Sequence, residues 1–202
     1  MPTLDPAISS RAVAECTSAE VAAIFTRSFE AYVVPLRFTP QAYERRFRGE
    51  NLDPYASRVY EREGAPAGLV LIARRGWTCR VAAMGIAPEL RGQGVGRQTL
   101  ETAIAEARAR ADRTMILEVI EGNAPATALY AGLGFRSRRR LVGYRCRTPH
   151  SETAEPLEEM DPLNFARIVA REGEPGLPWS LTAETLSATT LPTRAYRLQD
   201  RA

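Results

Sequence analysis

MGIAPELRGQGVGRQTL, residues 84–100, decides how the rest of this chain is read. The run begins with apolar residues that continue a strand and breaks at Pro88. It then sets Gly92, Gly94 and Gly96 at alternate positions behind Arg91, directly ahead of a helical pattern. Glycines let successive backbone N–H groups turn toward one point, and the helix N-terminus adds partial positive charge there. The stretch therefore reads as a cradle for a phosphate or pyrophosphate. A glycine turn that merely begins a helix is the plainer alternative, and a basic residue in front of three alternating glycines speaks against it. The dinucleotide fingerprint G-x-G-x-x-G does not fit: after Gly92 and Gly94 the third glycine position holds Arg97, and Pro88 to Arg91 separate strand from loop.

Upstream, TCRVAAMGIA is almost wholly apolar from Val81 to Ala87, as expected for a strand covered on both faces. SRVYERE and AGLVLIARR read as a hairpin turning at Gly64-Ala-Pro-Ala. Residues 17–29 place Val21, Ile24, Phe25 and Phe29 on one helical face behind a Thr17-x-x-Glu20 capping box, and Thr39-Pro40 opens a second helix. Downstream, residues 94–111 form a helix with Leu100, Ala103, Ile104, Ala107 and Ala111 on one face. TMILEVI (114–120) reads as another buried strand, Asn123-Ala-Pro-Ala starts a helix ending at Gly132 or Gly134, and FRSRRRLVGYRCR reads as a last strand. The order predicts an α/β (α+β mixed sheet) layer structure with a strand–helix–strand crossover.

One domain, 1–148, accounts for these elements. Residues 149–160, polar and acidic with two prolines, read as a linker. The C-terminal extension, 161–202, holds a helix at 161–171, a Gly/Pro break, a short helix from Thr182 and a strand-like TRAYRL. FTPQAY followed by SRVYEREG resembles LTAETL followed by TRAYRLQDR, so the extension reads as the start of a second, incomplete unit of the same kind, with chance similarity the alternative.

Composition narrows the chemistry. The 202 residues are 45% hydrophobic and 25% charged with a net charge of +3, and every basic residue is Arg. Without Lys there is no Schiff base and no GxxxxGK[ST] loop. Cys16, Cys79 and Cys146 lie far apart and His150 is the one histidine, a pattern that supports no metal, no disulfide framework and no Ser/His/Asp triad. Neither a membrane-length apolar run nor a basic-then-apolar start is present, which predicts a cytoplasmic protein with no membrane partner. Arg136, Arg138 and Arg140 would share one face of the last strand, a solvated surface without the interleaved aromatics of a nucleic-acid binder.

The block Arg91-Gly92-Gln93-Gly94-Val95-Gly96 after a strand resembles the acetyl-CoA signature of the GNAT superfamily of N-acetyltransferases. LEVIEGNAPATALYAGLGF, residues 117–135, is similar to the strand, Asn, helix, Tyr and Gly-Phe pattern that follows it there. The resemblance covers residues 15–148 and implies a GNAT-like acyl-CoA N-acyltransferase fold with acetyl-CoA as acyl-donor substrate. It implies that pantetheine pairs with the strand at Met84, Gly85 and Ile86. It also implies that the pyrophosphate sits on Arg91, Gly92, Gln93, Gly94, Val95, Gly96 and Arg97, and that Asn123 contacts the donor. Tyr130 matches the Tyr that protonates the departing thiolate. An N-cap role alone would also explain Asn123.

In such a reaction an amine attacks a thioester carbonyl, and the leaving sulfur benefits from a nearby proton. Glu118 is the candidate base. Strand alternation places it among aliphatic neighbours, where desolvation would favour its protonated form. Its interval to Tyr130 and the LEV around it are similar to those of ribosomal-protein N-terminal acetyltransferases. Glu121, Glu30 and ordered water are the other candidates, and pairing of Glu118 with an Arg is the alternative for that residue. Phe29, Glu30, Tyr32, Phe38 and Tyr43 fall where the acceptor should enter. The expected activity is acetyl transfer to a primary amine of a small molecule or peptide. A non-catalytic acyl-CoA-binding or scaffolding module, whose tail pairs with another chain as in a homodimer, is the alternative.

Overall fold

Alternation along the central strands divides the core between two faces. Val59, Leu69 and Leu71 pack with one set of helices and Tyr60, Val70 and Ile72 with the other. The computed structural model describes residues 6–33, 36–144 and 157–198, in two compact units, Met1–Arg136 and Ser137–Ala202.

The first unit is built on a five-stranded mixed sheet: β1 (Ile8–Ala12), β2 (Arg58–Arg62), β3 (Ala65–Arg75), β4 (Thr78–Ile86) and β5 (Thr114–Leu117). The strands lie in that order, antiparallel through β4 and parallel between β4 and β5. Helices α1 (Ser18–Ser28) and α2 (Pro40–Gly49) cover one face, with Val21, Ile24, Phe25, Phe29, Tyr43 and Phe47 buried against it. Helix α3 (Val95–Ala109) covers the other with Leu100, Ala103 and Ala107, and α4 (Ala124–Gly132) adds Leu129 and Tyr130 to the same cluster. The expected caps form: Glu20 N–H donates to Thr17 Oγ1 at 3.2 Å, Thr17 N–H donates to Glu20 Oε2 at 2.7 Å, and Ala42 N–H donates to Thr39 Oγ1 at 3.1 Å.

The second unit contains β6 (Leu157–Met160), α5 (Pro162–Glu172), α6 (Ala183–Ser187) and β7 (Ala195–Leu198), with β6 and β7 paired antiparallel. Asp161 caps α5 by accepting from the amides of Leu163 and Asn164 at 2.9 and 3.1 Å. Ala166, Trp179, Thr185 and Ala195 are buried. Strand, two helices and antiparallel strand is also how the first unit begins, from β1 to β2.

Several expectations are corrected. Strand β1 precedes the first helix; its five residues, Ile-Ser-Ser-Arg-Ala, carry too little apolar alternation to announce an edge strand. The hairpin turns at Glu63-Gly64, both at positive φ (53° and 80°), and Pro66 lies inside β3 where the register with β2 shifts. Strand β4 is only half-buried from Ala82 to Ile86, not covered on both faces. Strand β5 ends at Leu117, and Val119 and Ile120 beyond it are exposed, so TMILEVI is not a buried strand. Residues 135–144 form no strand, and Arg136, Arg138 and Arg140 do not alternate on one. Of the expected linker, 157–160 are strand β6, while 149–156, with Cys146 and His150, lie outside the described residues.

Candidate functional site

Strand β4 has two neighbours at its start and one at its end. Thr78–Val81 pair with Thr114–Leu117 of β5, while pairing with β3 continues to Ile86. The divergence begins at Ala82, where a bulge shifts the β3–β4 register: Leu71 faces Ala83 and Ile72 faces Val81. From Ala82 to Ile86 the β5-facing edge of β4 has no strand partner among the described residues, so its backbone groups, apart from the Ile86 carbonyl that a side chain of the following loop engages, are open to an extended ligand. Met84, Gly85 and Ile86 lie on this edge. Gly85 is required by packing, because a Cβ there would stand 2.9 Å from Phe29 Cε2 and from Ser28 Cβ on α1.

After β4, a single 3₁₀ turn (Pro88–Leu90) leads into the glycine loop and α3. Gly92 and Gly94 adopt left-handed φ of 75° and 83°, a conformation that costs other residues about 1–2 kcal/mol. Open space surrounds the position of a Cβ at each. Gly94 is the N-cap of α3 and offers no side-chain acceptor, so the amides of the first turn, Val95, Gly96 and Arg97, have no cap. Uncapped amides, the helix dipole and empty space together fit an anion. Gly96 faces Met84, Ile86 and Leu129, each 3.6–3.8 Å from where a Cβ would stand, so β4, α3 and α4 meet at this point.

The side chains of the loop have their own roles. Arg91 donates from Nε to the Ile86 carbonyl at 2.9 Å and from Nη2 to the carbonyls of Ser28 and Glu30 at 3.1 and 2.7 Å, tying the loop to the end of α1. Gln93 Nε2 donates to the Glu89 carbonyl at 2.6 Å. Arg97 leans over Gly132 of α4, and its side chain is half-exposed.

Asn123 caps α4, accepting from Ala126 N–H at 3.2 Å, and its Nδ2 donates to the Tyr32 hydroxyl at 3.4 Å. Tyr130, on α4, is partly buried and packs edge-on against Phe135. Burial, followed by the neighbouring Tyr32, pushes its phenol above the ordinary value of 10.0. Tyr130 therefore stays a proton donor throughout the neutral range. The fold thus brings Tyr32 to Asn123 and Tyr130. Phe29 stacks edge-on against Tyr32, while Phe38 and Tyr43 pack with Phe25 and Phe47 in the α1/α2 core.

Glu118 lies immediately beyond β5 and is not on a covered strand. Its Oε2 accepts from Arg80 Nη2 at 3.0 Å, and a third of its side chain (33%) is exposed. Arg80 lies on β4 with only 5% of its side chain exposed, and its Nη1 donates to Glu50 Oε2 at 2.6 Å. Sequence reading missed both Arg80 and Glu50. The available signal was the charged residue inside the apolar run Thr78–Ile86, which a covered strand tolerates only with a partner. Glu30 pairs with Arg27 on the surface. Among the described residues no cluster of His, Cys, Asp and Glu could hold a metal ion, and no helix is long and apolar enough to cross a membrane.

The family model described as the acetyltransferase (GNAT) family matches residues 19–135. The chain is similar in fold to the ribosomal-protein-S18-alanine N-acetyltransferase of Escherichia coli, at 23% identity, covering 65% of this chain and 79% of that one with a TM-score of 0.53. YncA of Salmonella typhimurium, solved with its cofactor acetyl-CoA, matches at 20% identity over 69% of this chain and 86% of its own, TM-score 0.52. AAC(6')-Iy, solved with a CoA-containing bisubstrate analogue, matches at 15% identity over 70% and 99% of the two chains, TM-score 0.51.

Proposed function

Because the chain belongs to the GNAT family of acetyltransferases, we propose that it moves the acetyl group of acetyl-CoA to a primary amine of a small molecule or peptide by direct attack. The observation that carries this reading is the divergence of β4 from β5 directly ahead of the uncapped start of α3, with Tyr130 on the helix that packs beside it. The open edge at Met84–Ile86 suits the amide-bearing arm of the donor. The loop amides from Arg91 to Arg97 suit its pyrophosphate, and Asn123 is the residue of the α4 start assigned to contact the donor.

Glu118 is the base in this proposal. Oε2 is engaged by Arg80, and Oε1 makes no hydrogen bond among the described residues, leaving it for a proton of the attacking amine. The nitrogen forms its bond to the thioester carbonyl carbon while its proton passes to Glu118. As the C–S bond breaks, the Tyr130 hydroxyl donates its proton to the departing sulfur. Tyr32, on the α1/α2 side of Asn123, belongs to the acceptor's entrance. The cytoplasm is the setting we assign to this reaction, and we propose residues 161–202 as the opening of a second, incomplete unit, on the order of two helices and a strand that α5, α6 and β7 share with α1, α2 and β2.

Calorimetric titration with acetyl-CoA, coupled to thiol release on pools of amines and of peptides, tests the proposal. Binding with thiol release on one pool is the expected result. Binding without release on any pool favours a scaffolding module, and absence of binding refutes the cradle.

A further inference from the structure

Three charged side chains meet under the point where β4 and β5 part. Arg80 stands at the centre, buried, with one carboxylate on each terminal nitrogen: Glu50 Oε2 at 2.6 Å on Nη1 and Glu118 Oε2 at 3.0 Å on Nη2. The two carboxylates differ in their surroundings. Glu50 ends α2 and is nearly as buried as Arg80, at 6% exposure of its side chain, with Arg46 Nε 3.4 Å from its Oε1. A third of the Glu118 side chain is exposed.

A buried guanidinium is costly unless its charge is met by opposite charge. Glu50 meets it from inside the fold, so Arg80 does not depend on Glu118 for its place. Glu118 depends on Arg80: it follows the last residue of β5 and has no ladder to hold it. Nε of Arg80 is buried without a hydrogen-bond partner among the described residues, so the guanidinium's contacts in the site are these two carboxylates alone. The charged groups at the opposite end of β5 are engaged elsewhere. Asp112 takes Arg74 and Arg110, and Arg113 lies over the Trp77 ring. Glu121 follows three residues after Glu118.

We infer that Arg80 is a positioning residue for Glu118, fixing Oε2 so that Oε1 alone is presented to the acceptor, and that Glu50 is the buried counter-charge that sets how strongly Arg80 holds it. The inference rests on Glu118 being the base. Removing Arg80 frees Glu118 to rotate, whereas removing the charge of Glu50 leaves Arg80 with Glu118 as its counter-charge.

Arg80→Met, made alone and in the Glu118→Gln background, is the direct test, with circular dichroism to confirm that each variant folds and a crystal structure of Arg80→Met to report the Glu118 rotamer. In the wild-type background Arg80→Met lowers kcat with KM for acetyl-CoA unchanged, and Arg80→Lys recovers part of the loss. In the Glu118→Gln background the same substitution costs nothing further, the non-additivity of two groups that act as a unit. Glu50→Gln lowers the urea midpoint while Glu118 keeps its rotamer. A purely structural Arg80 would lower activity by the same factor in both backgrounds. An unmoved Glu118 side chain in Arg80→Met, or equal losses in both backgrounds, overturns the inference. A displaced Glu118 side chain together with full activity of Glu118→Gln upholds the hold on Glu118 and removes it as base.

Discussion

Asn123 links the helix that carries Tyr130 to the far side of the site: its Oδ1 caps α4 through Ala126 N–H at 3.2 Å while its Nδ2 reaches the Tyr32 hydroxyl at 3.4 Å. The cap is the stronger of the two contacts, since 3.4 Å is long for a hydrogen bond. Asn123→Ala should therefore cost about 1 kcal/mol of unfolding free energy, the usual loss for a removed N-cap. Asn123→Asp keeps the acceptor and should remain near wild type in urea denaturation. A stable Asn123→Ala would detach the cap from the fold's stability.

Tyr130→Phe removes one proton donor and leaves the packing against Phe135 in place. Turnover should fall by roughly 10²- to 10⁴-fold with acetyl-CoA affinity nearly intact. The sign of the pH effect follows from the raised phenol. Activity should persist to pH values above 10.0 and fail only as Tyr130 deprotonates, and Tyr32→Phe should move that alkaline limb downward by removing the second contribution to the shift. Steady-state rates across the alkaline range check both.

Two glycines in the same segment should fail in different ways. Gly94→Trp adds a side chain to open space at φ 83°, so the chain should fold with a penalty of about 1–2 kcal/mol while acetyl-CoA binding is lost. Gly85→Ala drives a methyl to 2.9 Å from Phe29 Cε2, a close contact within the α1 packing, and should destabilise by about 1–3 kcal/mol. Circular dichroism and calorimetry on the two variants separate loss of site from loss of packing.

Glu20 should govern part of the acid response. The Thr17 amide, the Thr17 hydroxyl and Arg11 hold its carboxyl down at about 2, from an ordinary 4.5. A lowered carboxylate contributes stability above its unfolded value and loses it as pH falls toward its folded one. Urea midpoints of the wild type should thus decline between pH 4.5 and 2 more steeply than those of Glu20→Gln.

Much of this arrangement was legible in residue patterns. The Thr17–Glu20 capping box, the Thr39-Pro40 and Asn123-Ala-Pro starts and the Arg91–Gly96 run each carry a local physical signature, and α1, α2, α3 and α4 form where those signatures place them. What escaped depends on partners distant in sequence. Strand β1 exists because β2 is there to pair with it across Ile8–Arg62 to Ala12–Arg58. The early end of β5 follows from its divergence from β4, which no periodicity in TMILEVI encodes. Glu118 was singled out, yet its surroundings were misjudged, because Arg80 lies 38 residues away and reaches it only through the parallel pairing of β4 with β5.

The half-paired end of β4 also bears on how long the protein lasts. An unpaired strand edge is a template for association between chains, and folded proteins usually bury or blunt such edges. Here the edge lies where the donor's arm is proposed to bind, so a bound donor would shield it as an added strand does. Ligand that binds only the folded chain also raises its stability in proportion to the logarithm of ligand concentration over Kd. The acyl donor would then act as a conditional chaperone, and the pool of CoA thioesters would set the protein's working lifetime along with its rate.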